Sequence, residues 1–441
     1  MAFPAFCYSP LPQPETDIRL LSFTADAQAS DTSTLELNIE NFALQDAPPY
    51  AAMSYTWGEP FAQETILIHG RTFTVRWNCR YMLRQLQKHR PCGYFWVDAI
   101  CINQDDVAEK NCQVQMMGEI YENAECVIAC LGEHADDSRL LFEQLEDLKA
   151  AMAAHGVAQE KIDFVRGRSL CVPPFTWLGT IGRSLAHDLC YELNALMSRK
   201  YWKRVWIVQE LRLAQKVKLL CGSHETDLDV LLVLCNEMEA CIAYGYGIEY
   251  HKDEWQDKPN PSCHAPEDHL TYTRLFNGFT NLKSYLAGGL DSLHSVLISY
   301  RSSGATDKRD HIYGFRGLIE WPPGRPAIQV DYSVPALVVA ERLMTYLDPV
   351  SKNNLHLNPM VPSIFAKLIL SSLHINGADE DLRYMLEQRA HSGVTHPAPL
   401  PRTISTQSHI RYRQKADGPS YQLILDPVTG CLQAPTSSPG A

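Results

Sequence analysis

The sequence predicts an α/β fold with a mainly parallel sheet, interrupted by a helical insertion at about 133–198 and followed by a mostly helical C-terminal region. Three observations carry that expectation. Tyr94–Val97 is a dense apolar run of strand length, and Glu125–Leu131 is a second one, stopped by Gly132. Between them lies a segment of helical pattern that runs through Tyr121, opened by Asp106 as an acidic N-cap with Glu109 as its capping-box partner. Strand, helix and strand in that order favour a parallel sheet with crossover helices.

The remaining elements follow along the chain. Residues 1–17 are proline-rich and read as an irregular leader. Ile18–Phe23 and Leu35–Phe42 alternate as half-exposed strands do, and Tyr50–Trp57 is a compact strand ended by Gly58. Thr65–Val75 reads as two short strands turned at His69-Gly70. Asn78–His89 has helical spacing, with Tyr81, Leu83 and Leu86 apolar, while Asp98–Gln104 reads as the exit loop of the Tyr94–Val97 strand. The insertion is helical in pattern apart from a Pro/Gly/aromatic interruption at Val172–Gly182. Tyr201–Gln215 reads as one helix and Lys216–Cys221 as a strand closed by Gly222. Proline-rich breaks at Asp257–Pro266 and Trp321–Pro326 divide the helical region beyond. The expected organisation is a leader with short strands over 1–49, a central domain over 50–222, a helical region over 223–390 and a disordered tail over 391–441, where Pro, Ser, Thr and Gly dominate.

Composition narrows the function. The 441 residues carry 39 basic and 51 acidic side chains, a formal net charge of −12. That balance argues against a nucleic-acid or anionic-membrane binder, which needs a concentrated positive field. The 14 cysteines are scattered, several of them inside apolar runs, as buried thiols are in a reducing compartment. The first twenty residues show no basic segment leading into an apolar one, and no run of about 18 apolar residues occurs. The reading is a cytoplasmic protein without a membrane span. His251, Cys263, His264 and His269 lack compact zinc spacing, so no metal is assigned. Cys101 follows a strand but has no base supplied in sequence, and reads as a structural thiol.

Three blocks carry the functional signal: YAAMSYTWGEP at 50–60, FWVDAICINQDDVAEKNCQVQMMGEIYENAECVIACLGE at 95–133, and YWKRVWIVQELRLAQKVKLLCG at 201–222. Together they resemble the heterokaryon-incompatibility (HET) domain of filamentous fungi. ATDKRDHIYGFRGLI at 305–319, with VDYSVP at 330–335, resembles the region that follows that domain. Small departures occur at Met53, Ala129-Cys130 and Phe315-Arg316. The resemblance implies a role in allorecognition and cell death, with an incompatibility partner protein and with self-association open. It also implies a TIR-like, flavodoxin-like sheet, because HET domains are held to be distant relatives of Toll/interleukin-1 receptor (TIR) domains, some of which hydrolyse NAD. On that view Trp206-x-x-x-Glu210 is similar to the tryptophan–glutamate helix of TIR enzymes, and Ser54-Tyr55 to the serine–aromatic pair of their first strand. NAD would be a substrate, and no bound cofactor is implied.

The chemistry has its own logic. Cleaving the nicotinamide–ribose bond passes through an oxocarbenium-like state, as glycoside hydrolysis does. A carboxylate beside the ribose stabilises that charge most where water is excluded. Trp206 and Glu210 are one helical turn apart and share a face, and Arg204 can offer a bidentate contact to a pyrophosphate. Ser54, Tyr55, Trp57, Gly58, Asp98 and Asn103 all fall at predicted strand ends, where open α/β sheets bind ligands. Plainer readings stand beside these. Glu210 can be a solvated or ion-paired helix residue, Trp206 a core residue and Arg204 a structural ion-pair partner. Asp98 can orient the Trp57-Gly58 loop, and Asn103 and Gln104 can close their own loop. Gly58, Gly132 and Gly222 read as turn residues.

Overall fold

Apolar runs too short for helices become the strands of one nine-stranded sheet. In chain order these are β1 (Asp17–Phe23), β2 (Glu36–Ala43), β3 (Tyr50–Tyr55), β4 (Gln63–Ile68), β5 (Arg71–Arg76), β6 (Tyr94–Trp96), β7 (Cys126–Gly132), β8 (Val217–Cys221) and β9 (His224–Asp227). In space they run β5-β4-β2-β1-β6-β3-β7-β8-β9. The computed structural model describes residues 3–24, 34–89, 93–155, 177–244, 282, 286, 290–300, 303–346, 368–374, 424–425 and 432–433. They fall in two compact units, Met1–Asn376 and Gly377–Ala441, and the sheet lies in the first.

The parallel arrangement holds at the centre, where β6, β3, β7 and β8 run side by side in one direction. Outside it the sheet is mixed. β1 is antiparallel to both β2 and β6, the β4–β5 and β8–β9 pairs are antiparallel hairpins, and β2 and β4 pair in parallel. The sequence pattern records the difference. All six residues of β3 and six of the seven in β7 are buried, as central parallel strands require, whereas β2 alternates and is largely exposed beyond its first residues. The β4–β5 turn falls on His69-Gly70 as expected, with both residues at positive φ (50° and 70°), the left-handed pair that a two-residue hairpin needs.

Helices cover the sheet. α1 (Trp77–His89) buries Cys79, Met82, Leu83 and Leu86 against β3, β4, β5 and β7. The expected exit loop after β6 begins instead with a single helical turn, α2 (Asp98–Cys101). α3 (Val107–Asn123) starts where the sequence places it, with the Asp106 carboxylate accepting the backbone N–H groups of Ala108 and Glu109. Glu109 does not complete a capping box. Its carboxylate is bound by the Arg19 guanidinium of β1, at 2.6 and 2.9 Å, and by the Asn103 backbone N–H. Arg19 also donates to the carbonyls of Ser9 and Cys101, so one buried ion pair ties the leader, β1, α2 and α3 together.

The insertion is helical where it is described, as α4 (Ser138–Ala154) and α5 (Arg183–Met197). α4 turns Leu141, Phe142, Leu145, Leu148 and Met152 inward and packs on α5, β9 and α7 (Leu228–Tyr244). The expected single helix over Tyr201–Gln215 is two pieces: a 3-10 turn at Lys200–Lys203 and α6 (Ile207–Arg212). Between them the chain is extended at Arg204, where it forms a parallel bridge with Gly304. Further on, α8 (Leu293–Ser299), α9 (Asp310–Tyr313) and α10 (Ala336–Thr345) are short and joined by irregular segments. In the second unit, β10 (Ile424–Leu425) pairs antiparallel with β11 (Leu432–Gln433). The break expected at Asp257–Pro266, the histidine–cysteine group at His251–His269 and most of the tail from His391 lie outside the described residues. No helix among the described residues is long and apolar enough to cross a membrane.

Candidate active site

β3 is the first strand of the parallel centre, with β6 on one side and β7 on the other. Successive residues of a strand face opposite sides of the sheet, so its last two side chains part company. Tyr55 meets Cys79 of α1, and burial drives its phenol far above the ordinary range. Ser54 faces α6. Its hydroxyl donates a hydrogen bond to the Glu210 carboxylate and lies 2.7 Å from the Tyr201 hydroxyl. Ser54 and Glu210 are each 1 % exposed.

A buried carboxylate needs a partner, and Arg204 is that partner. Its two terminal nitrogens reach the Glu210 oxygens at 3.2 and 3.3 Å. The break at Arg204 makes this possible. In a continuous helix, residues six apart would lie on different faces. Here the extended Arg204 backbone is fixed by Gly304, with the Val205 N–H donating to the Gly304 carbonyl at 3.0 Å, and the side chain turns back onto α6.

Asp98 completes the group. It opens α2 directly after β6, is 8 % exposed, and accepts the Trp57 indole N–H at 2.7 Å. Burial raises its pKa to about 6; Arg204 opposes the rise and Glu210 adds to it. Asp98 thus anchors the Trp57-Gly58 loop, which was one of its two sequence readings. The Gln104 side chain closes on the Asp98 carbonyl, and the Asn103 carboxamide oxygen accepts the Asp105 N–H. Gly58, at φ 78°, packs on Asn78 so closely that an added Cβ would lie 2.7 Å from it. Only glycine fits that turn.

Comparison with known proteins places the span that holds this cluster in a family. A family model described as heterokaryon incompatibility protein (HET) matches residues 50–210, the span from the start of β3 to Glu210. The chain carries a HET domain. It is 27 % identical over 354 residues to the heterokaryon incompatibility protein 6, OR allele, of Neurospora crassa, a match covering 70 % of this chain and 48 % of that protein. The chain therefore spans about half the length of the curated relative it matches. No solved structure matches.

The HET domain of this chain does not close on itself at residue 210. Besides the Gly304 bridge, the Gly317 N–H donates to the Gln209 side chain, Arg212 pairs with Asp291 at 2.6 Å, and the Tyr332 N–H donates to Asn111. Trp206 joins this contact network. It starts α6, one turn before Glu210, but its indole N–H donates to Asp310, whose carboxyl burial raises to about 6. The Tyr332 hydroxyl donates to the same carboxylate at 2.6 Å. Trp206 is half-buried and its indole is turned towards the C-terminal segment.

A cavity of about 370 Å³ opens on the α1 side, lined by Tyr55, Trp57 and Asn103 among others. Ser54, Asp98, Arg204 and Glu210 are not among its lining residues. Of the site residues singled out in the sequence, Ser54, Asp98, Arg204 and Glu210 form a buried charged cluster and Tyr55, Trp57 and Asn103 a cavity wall, linked by the Trp57–Asp98 hydrogen bond, while Gly58 and Trp206 belong to neither. Sequence reasoning missed Tyr201, Arg19 and Asp310. Tyr201 stands inside a quoted block, and Arg19 inside an apolar strand where a charge has to be paired.

Proposed function

We propose that this chain acts in fungal allorecognition as a cytoplasmic cell-death effector, engaged by an incompatibility partner protein, and that its HET domain works by hydrolysing NAD. The observation that carries the reading is the Glu210 carboxylate, buried against Ser54 at the carboxyl end of β3, where the sheet divides towards β6 and β7. Open α/β sheets bind ligands at such a point. The Trp206-x-x-x-Glu210 spacing resembles that of TIR enzymes, but only Glu210 is assigned to the chemistry, because the Trp206 indole is held by Asp310.

In the proposed reaction the ribose C1′–nitrogen bond breaks and its electron pair returns to the nicotinamide ring, neutralising the pyridinium. Glu210 stabilises the positive charge left on the sugar, and water adds at C1′ and releases its proton. Arg204 now holds Glu210. A pyrophosphate is a competing bidentate acceptor for the same guanidinium, so substrate binding would free the carboxylate as it is needed.

The test is NAD consumption by purified protein at high concentration, wild type against Glu210→Gln. Turnover by the wild type and a loss of at least about 100-fold in the variant are expected, the scale for removing a main electrostatic stabiliser. Equal turnover by both would remove Glu210 from the chemistry. One observation favours a second reading: Glu210 lies outside the cavity lining. If neither protein consumes NAD while overexpression still arrests growth, the domain is a non-enzymatic module acting by self-association or docking.

A further inference from the structure

The cavity has a composition the proposed reaction does not use. Tyr8, Tyr55, Trp57 and Phe73 give it aromatic walls, and Gln63, Asn103 and Gln104 give it carboxamides. Its charged residues are Arg76 and Asp105, one of each sign. Arg76 is already engaged: its guanidinium lies 5.2 Å over the Trp57 ring and donates to the Gly58 carbonyl at 2.9 Å. Such a chamber has little to offer a polyphosphate, which needs several free cations or backbone N–H groups. It suits a flat, uncharged ring with donors and acceptors on its edge. Aromatic faces stack on such a ring, and carboxamides read its edge.

Gln63 is exposed at the start of β4 and reaches the cavity rim, where solvent meets its carboxamide when no ligand does. The Tyr8 ring is held in place by the protein. Its hydroxyl donates to the Ile100 carbonyl at 2.8 Å, its edge meets Phe73 at 5.9 Å between centroids, and the Arg19 guanidinium lies 4.8 Å from its centroid. Tyr8 belongs to the proline-rich leader, well before the matched span of 50–210. The leader is fastened there by the Arg19 contact to the Ser9 carbonyl and by the Ala5–Thr72 bridge to β5.

We propose that this cavity is a nucleobase subsite, completed by Tyr8 from the leader, and that it takes the purine end of a nucleotide ligand. The assignment of the purine end rests on the NAD reading. The bond to be cleaved belongs near Glu210, and a ring seated against Tyr8 and Trp57 is the remote one. Binding of a base does not itself require turnover, so the two proposals fail separately.

The experiment is equilibrium binding to the full chain, followed by Trp fluorescence and calorimetry, with adenosine, AMP and ribose 5-phosphate as probes. Adenosine and AMP should bind and ribose 5-phosphate should not. Tyr8→Ala and Phe73→Ala should each weaken AMP binding at least about fivefold, the lower end for losing one stacking face. Tyr8→Phe, which keeps the ring, should bind within about twofold of wild type. Asn103→Ala, in a loop, serves as a second probe if the aromatic variants fold poorly, and should also weaken AMP. The subsite is overturned if ribose 5-phosphate binds as well as AMP, if no probe binds, or if the variants bind like the wild type. AMP binding that depends on Tyr8, in a protein that consumes no NAD, keeps the subsite and removes the hydrolysis. NAD turnover that Tyr8→Ala leaves untouched does the reverse.

Discussion

Two buried arginine–glutamate pairs flank the parallel centre of the sheet, and they are built differently. In the Arg19–Glu109 pair the side chains are 2 % and 4 % exposed, and the remaining capacity of both is filled by backbone: the Ser9 and Cys101 carbonyls on one side, the Asn103 N–H on the other. In the Arg204–Glu210 pair the carboxylate is 1 % exposed, but the arginine reaches 16 %, and the other side-chain partner of Glu210 is the Ser54 hydroxyl. Backbone partners cannot leave without unfolding, whereas side-chain partners can rotate away. The first pair is a fixed strap and the second is an exchangeable contact, so the same two residue types serve structure in one place and leave chemistry open in the other.

The largest effect that can break this contrast lies in the strap. Arg19→Met leaves Glu109 buried with only backbone support, and should destabilise the protein by about 3–5 kcal/mol in chemical denaturation. Arg204→Met should cost less than half of that, because water reaches the site from which the guanidinium is removed. Equal losses would mean that the Arg204–Glu210 pair is as structural as the other, and would weaken the proposed exchange with a pyrophosphate.

Asp98 sharpens the contrast, because burial outweighs its partners and raises it to about 6 from an ordinary 3.8. The folded protein therefore holds the Asp98 proton more tightly than the unfolded chain does. Ionisation works against folding, with a penalty that grows between pH 3.8 and about 6 and is constant above. A shift of two units corresponds to about 3 kcal/mol. Asp98→Asn keeps an acceptor for the Trp57 indole and removes the charge. It should be more stable than wild type at pH 7.5, by up to that amount, with the gap closing as pH falls towards 4. A gap independent of pH would show that Asp98 is not the titrating group.

The sequence made the strands, the His69-Gly70 turn and the Asp106 cap legible because each depends on neighbours within a few residues. The break at Arg204 was not legible. The run YWKRVWIVQELRL keeps helical spacing throughout, and the interruption comes from Gly304, about a hundred residues away. Local propensity is a weak prior against a tertiary contact of that kind. The site was legible in the same uneven way. Ser54, Asp98, Arg204 and Glu210 do converge, but nothing in their spacing shows that Arg204 would cover Glu210. Trp206 shares a helical turn with Glu210, yet Asp310 decides where its indole points.

The smallest effect tests the division of labour at the start of α3. A capping box would use Glu109 to hold the Asp106 N–H, but that N–H donates to the Asn103 carbonyl at 3.2 Å while Glu109 binds Arg19. Cap and strap are therefore separate devices three residues apart. Asp106→Ala should cost about 1 kcal/mol, the usual worth of an N-cap. Asp106→Asn should cost almost nothing, since its carboxamide oxygen accepts the same two N–H groups. The cost of Arg19→Met should be unchanged, within about 0.5 kcal/mol, when measured in the Asp106→Ala background. A markedly smaller cost there would mean that the cap holds Glu109 in place for Arg19, and that the strap begins at the helix terminus rather than at the ion pair.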